Sequence, residues 1–197
     1  MVLFPGTTLP LHIFEARYRK MVADALASDR VIGMTLLRPG WEPDYEGRPP
    51  VFAIGCAGRI ARAEALPDGR YDIALQATTR FRIVEEHAGE PYRLATVEEM
   101  PEVPGDPAAL ADARRAVLAA IGRAVDGPTR LVVADLPDDV FVNGLCQALT
   151  LDPVERQSLL ECETVAGRAQ RLAQVLEFRT LEEAHRRGAS GGKPRLH

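Results

Sequence analysis

The sequence predicts an α+β fold, with a β-rich N-terminal half followed by a helical C-terminal half. Residues 70–84, RYDIALQATTRFRIV, alternate apolar and polar side chains with period two, the pattern of a half-buried strand. Beyond residue 106 the apolar positions recur at helical spacing, and Leu110, Val117, Ile121 and Val125 form the first stripe. Between the two regimes lies MPEVPGDP, residues 100–107, whose prolines and glycine interrupt both patterns. The expected organisation is a β-rich subdomain over 1–101, a helical subdomain over 106–187, and a disordered tail over 188–197, GASGGKPRLH.

At the N-terminus, Leu3 and Phe4 are expected to lead into a first strand, with Pro5 to Pro10 turning the chain. Phe14, Tyr18, Met21, Val22, Ala25 and Leu26 fall on one face of a helix expected to start at Phe14. Further strands are expected at VIGMTLL, residues 31–37, at Val51–Leu66, and at YRLATVEEM, residues 92–100. Pro67, Asp68 and Gly69 suit a three-residue hairpin loop between the two longest strands, Pro pre-setting φ and Gly supplying a positive φ. Strands of that length bend, and Gly55 and Gly58 are where this one can. The result is a small, strongly curved sheet or open barrel.

Downstream, Asp106 and Pro107 suit the N-cap and first position of a helix that Gly127 and Pro128 would end. Asp152, Pro153 and Glu155 form a D-x-x-E capping box opening a second helix. A third is expected from about Thr164 to Arg186, with Val165, Ala169, Leu172 and Leu176 on one face.

Of the 197 residues, 46% are apolar and 26% charged, ordinary globular usage, and the formal net charge is −4. Each side of residue 101 holds 12 basic and 14 acidic residues, so neither half is a basic module suited to nucleic acid or an anionic membrane. Lys20 and Lys193 are the two lysines, which leaves little room for lysine chemistry. Cys56, Cys146 and Cys162 are odd in number and lack C-x-x-C spacing, which argues against a disulfide framework or zinc site and for a reducing compartment. No stretch approaches the roughly 18 consecutive apolar residues of a membrane span. The first apolar run lacks a basic flank and is broken by Pro5, Gly6, Pro10, His12 and Glu15, so a signal peptide is not expected and the cytoplasm is the expected location.

No P-loop, dinucleotide-binding, nucleophile-elbow or H-E-x-x-H motif occurs, which excludes P-loop ATP hydrolysis and the commonest esterase and zinc-protease chemistries. His12 and Glu15 could orient one another for general-base work, but no nucleophile accompanies them, and a strand-to-helix junction explains both. Cys56 lacks a basic neighbour to activate its thiol and reads as a small core residue. Arg80 and Arg82, with Arg59 or Arg62 across the hairpin, could cradle phosphate, but interleaved Asp72 and Glu64 favour a solvated face. Neither a metal nor a cofactor is expected. The loop RPGWEPDYEGRPP, residues 38–50, is long, and its Trp41 and Tyr45 are the candidate partner contacts.

Three segments, LFPGTTLPLHIFEARYRKMV, RIARAEALPDGRYDIALQATTRFRIVE and LTLDPVERQSLLECETVAGRAQRLAQVLE, keep an order that resembles the N-terminal, substrate-binding domain of ATP-dependent Lon protease in its stand-alone bacterial form. LPLHIFEARYR followed by ATTRFRI is the most telling pair, and the resemblance extends to about Arg187. It implies a PUA-like pseudo-barrel with one inserted helix and a C-terminal helical subdomain. It also implies a non-catalytic role in recognising unfolded or damaged protein, since the ATPase and Ser-Lys protease modules have no counterpart here. Ala16 stands where the family commonly has proline, a change that favours the helix. The family also carries more residues before LFPG, so the expectation is either a late start at Met1 or a short first strand that leaves one sheet edge less covered.

The expected function is a protein-binding module for unfolded or extended polypeptide, or an adaptor to a protease or chaperone machine. An RNA-binding module is the alternative, because PUA-like folds also bind RNA.

Overall fold

The computed structural model describes residues 1–45, 47–88, 91–124 and 136–190. By contacts the chain forms two units, one of Met1–Glu102 with Asn143–Glu161, the other of Val103–Val142 with Cys162–His197.

The first unit is organised on an antiparallel sheet of β1 (Thr8–Ile13), β2 (Val31–Met34), β3 (Ile54–Ala65), β4 (Tyr71–His87) and β5 (Leu94–Met100). β4 is central. β3 lies along one edge and carries β2 beyond it, while β1 and β5 share the other edge end to end, β1 beside residues 71–76 and β5 beside 80–87. The β3–β4 connection is the expected turn: Gly69 has φ 81°, its amide donates to the Leu66 carbonyl at 2.9 Å, and Leu66 donates to Arg70.

The sheet bends where register shifts fall, between Cys56 and Gly58, between Ile60 and Arg62, and between Ile83 and Glu85. Both predicted glycines serve close packing there. A Cβ on Gly55 would stand 2.5 Å from the Met34 carbonyl oxygen and 2.6 Å from the Phe81 ring, and one on Gly58 would stand 2.6 Å from Leu75. Phe81 and Leu75 fill the space those missing side chains leave, and both are buried.

Three N-terminal expectations are corrected. The first strand is Thr8–Ile13, whose first three residues fall in the turn expected over Pro5 to Pro10, and Pro10 is tolerated because a strand with one neighbour does not need every N–H. Leu3 and Phe4 precede the strand and are fully buried. The helix α1 (Ala16–Leu26) begins two residues after Phe14, which is 63% exposed, and buries Val22 and Ala25. The strand expected over 31–37 is shorter as β2, with a single bridge from Leu37 to Val51 continuing the pairing.

Two helices contribute to covering the sheet: α3 (Asp138–Ala148), through its residues from Asn143 onward, and α4 (Pro153–Leu160). The capping box of α4 is formed: Asp152 accepts from the Val154 amide at 2.8 Å, and Glu155 accepts from the Asp152 amide at 2.9 Å. Gln157 donates to the Ile54 carbonyl at 2.9 Å, and the Phe4 amide and Thr7 hydroxyl both donate to Gln147 Oε1 at 3.2 Å. These bonds tie residues 143–161 to the sheet unit, so the compact units do not follow the single cut at 101–106.

In the second unit α2 (Pro107–Ala124) packs on α5 (Val165–Ser190), burying Leu110, Ala113 and Val117 and, from α5, Val165, Ala169 and Leu172. Asp106 caps α2 as expected, accepting from Ala108 and Ala109 at 3.3 and 3.2 Å. The expected helix end at Gly127 and Pro128, and residues 191–197 of the tail, lie outside the described residues; Gly188–Ser190 belong to α5.

Candidate functional site

The loop 38–50 and the start of α1 build one cluster. A single 3₁₀ turn, Glu42–Asp44 with Pro43 inside it, separates Trp41 from Tyr45 and brings their rings to 5.3 Å at 59°. Glu15 occupies the N-cap of α1 in extended conformation but makes no side-chain cap bond. Its carboxylate accepts from the Tyr45 hydroxyl at 2.5 Å and from Arg17 Nε at 3.0 Å. The Arg17 guanidinium lies 4.8 Å from the ring centres of both Tyr18 and Tyr45 and donates to the Tyr45 carbonyl. The Glu15 carboxylate raises the Tyr45 phenol pKa above its ordinary value, with burial adding to the shift. Trp41 and Tyr45 are therefore brought together, half-buried, on a charged and aromatic base.

The other sequence candidates do not assemble. His12 and Glu15 do not pair: His12 Nδ1 faces Asp72 across the strand register at 2.6 Å, Nε2 accepts from Arg70 at 3.1 Å, and Glu15 serves Tyr45. Cys56 is fully buried in the core. The solvated face expected for these arginines is corrected at Arg80, which is 1% exposed, pairs with Glu102 at 2.7 Å and donates to the Leu160 carbonyl at 3.0 Å, and no phosphate cradle forms either. Residues of α4 cover the sheet face that Arg80 points into, which period-two reading had left to solvent. Arg59 donates to the Asp29 carbonyl, Arg62 pairs with Glu64, and Arg82 is exposed. Among the described residues no three His, Cys, Asp or Glu side chains could hold a metal ion, and no helix is long and apolar enough to cross a membrane.

A second feature escaped the sequence reading. β5 is exposed over Leu94–Glu99, and Val84, Leu94 and Val97 present apolar side chains 63%, 43% and 44% exposed. The hairpin carrying them is anchored near its tip: Tyr92 donates to Asp24 of α1 at 2.7 Å, Arg48 donates to the His87 carbonyl at 2.9 Å, and Arg93 donates to the Pro49 carbonyl. The same loop that carries Trp41 thus also holds the β4–β5 hairpin. Residues 92–100 read as a strand, but a strand segment in sequence does not say what covers each of its faces.

The comparisons with known proteins agree on one family. Lon protease 2 of Desulfotalea psychrophila is 29% identical over 192 residues, covering 93% of this chain and 24% of that protein, so this chain spans about a quarter of the length of that relative. Two solved structures share the fold: a Lon N-terminal domain protein from Xanthomonas campestris (TM-score 0.61, 24% identity, 89% of this chain and 92% of that one) and the N-terminal domain of Mycobacterium avium complex Lon protease (TM-score 0.66, 21% identity, 89% and 92%). The family model described as the ATP-dependent protease La (LON) substrate-binding domain matches residues 1–177, and the chain belongs to that family.

Proposed function

We propose that this chain is a non-catalytic module that binds unfolded or extended polypeptide, alone or as an adaptor that hands clients to a protease or chaperone machine, in the cytoplasm. The observation that carries it is family membership over residues 1–177, the match being to the substrate-binding domain and not to the protease or ATPase parts of the relatives. Trp41 and Tyr45 are the proposed partner contacts. The Tyr45 ring is held by Glu15 and Arg17 and Trp41 packs against it, which lowers the ordering cost of an aromatic surface at the moment of binding. The bulged five-stranded sheet is read as the PUA-like pseudo-barrel of this proposal. The RNA alternative gains nothing from Arg59, Arg62, Arg80 and Arg82, which have separate partners or positions.

The test is Trp41 emission during titration with a reduced, carboxymethylated protein, set against the same protein folded. A shift that saturates with the unfolded form, and affinity lowered about tenfold by Tyr45→Ala, a cost of about 1.4 kcal/mol, is the expected result. Equal responses to folded and unfolded forms would refute the proposal.

A further inference from the structure

We propose that β5 is a docking strand: an extended, basic segment of a client adds to the sheet alongside Leu94–Met100. This rests on the polypeptide-binding reading and specifies its mode and the class of segment taken.

Every outer strand of a sheet presents unpaired N–H and C=O groups, and folded proteins guard such edges with proline, lysine, short length or a cover. β1 carries Pro10, which has no N–H to offer. β2 is four residues long, with Gly33 in its middle. β5 is different: its seven residues, LATVEEM, hold no proline, glycine, lysine or arginine, are guarded by the acidic Glu98 and Glu99 and one register shift opposite Ile83 and Glu85, and pair among the described residues with β4 alone. In an antiparallel pair, alternate residues turn their N–H and C=O away from the partner, so β5 offers about three outward pairs along about 24 Å.

Charge selects the occupant. Residues 82–100 hold five glutamates against two arginines. Glu98 and Glu99 lie on β5 itself, and Glu85 and Glu86 face it across the register at Thr96 and Ala95. Arg93 neutralises Glu86, and Arg82 stands opposite Glu98. The remaining acidic balance repels a second copy of this chain, whose net charge is −4, and attracts a strand bearing lysine or arginine. Val97, with Val84 and Leu94 nearby, supplies apolar surface between the charges, which suits β-branched residues on the incoming strand. Main-chain bonds give affinity without demanding one sequence, and side chains at alternate positions give the preference.

The experiment uses the full chain and a fluorescein-labelled ten-residue peptide alternating lysine with valine and threonine. A second form of it is N-methylated at alternate residues, which keeps the side chains but removes one row of N–H donors. Expected are saturable binding of the first peptide, at least tenfold weaker binding of the second, and protection of amides within residues 94–100 in hydrogen exchange. The double variant Glu98→Lys with Glu99→Lys, exposed positions whose change leaves the circular dichroism intact, weakens the basic peptide at least fivefold. Insensitivity to both N-methylation and charge reversal, with the unfolded protein still shifting Trp41 emission, overturns strand addition and leaves polypeptide binding standing. No binding of either peptide or unfolded protein overturns both. Concentration-dependent dimers that protect 94–100 without peptide also overturn it, by giving the edge to a second copy.

Discussion

Arg80 and Glu102 form an ion pair of 2.7 Å in which the arginine is 1% exposed and the glutamate side chain 20%. A guanidinium in that position is tolerable because a carboxylate supplies its counter-charge and the Leu160 carbonyl accepts from its Nη1. Removing either member leaves the other without its counter-charge. Arg80→Ala is expected to cost about 3 kcal/mol in urea unfolding, whereas Arg82→Ala, two residues on and exposed, stays within about 0.5 kcal/mol.

Two glycine substitutions should have opposite signs. Gly55→Ala sets a methyl 2.5 Å from the Met34 carbonyl oxygen and against the Phe81 ring, and lowers stability by about 2 kcal/mol. Gly144→Ala meets nothing within 4 Å inside α3 and raises it by about 0.8 kcal/mol through helix propensity. Thermal melting followed by circular dichroism at 222 nm reads both, the ultraviolet wavelength being the ordinary helix band.

Tyr45 titrates above an ordinary tyrosine because its hydroxyl donates to Glu15, with burial second. The folded value being raised, that bond contributes to stability below the unfolded value and is lost as pH rises through the folded one. Glu15→Gln is expected to bring the Tyr45 pKa down toward its ordinary value. Quenching of Trp41 emission by the neighbouring phenolate reports the titration, with Tyr45→Phe as the blank; an unmoved midpoint in Glu15→Gln refutes the assignment.

Asp24 lies on the acid side of the same argument. The Lys20 ammonium and then the Tyr92 hydroxyl hold its carboxyl below the ordinary value, so the hairpin anchor is present above the unfolded pKa and is released as pH falls through the folded one. Lys20→Met and Tyr92→Phe should each raise the Asp24 pKa in carbon-detected NMR titration, Lys20→Met by more.

Legibility followed sequence separation. The β3–β4 hairpin, the capping box of α4 and the N-cap of α2 were readable because their determinants lie within a few residues of one another. β1 was missed because Pro10 counts as a turn signal unless the strand is known to have one neighbour. α3 was missed because Asn143 and Gly144, both poor helix formers, sit in its middle. In the site, Trp41 and Tyr45 were legible as aromatics on a long loop, but the Glu15–Tyr45 bond spans 30 residues and left no local signature. Burial of Arg80 depends on α4, 80 residues away, and an amphipathic helix announces that it has an apolar face without naming what it will cover.

The return of residues 143–161 to the sheet sets the order in which the chain can finish folding. The Ile54 carbonyl waits for Gln157, 103 residues later, and the Phe4 amide waits for Gln147, 143 residues later. During synthesis from the N-terminus, all five strands leave the ribosome before the helices that close over them. A nascent chain halted after Glu102 therefore shows Arg80 and the sheet's inner face to the cell. For that interval, the protein proposed to recognise exposed polypeptide is itself an exposed polypeptide.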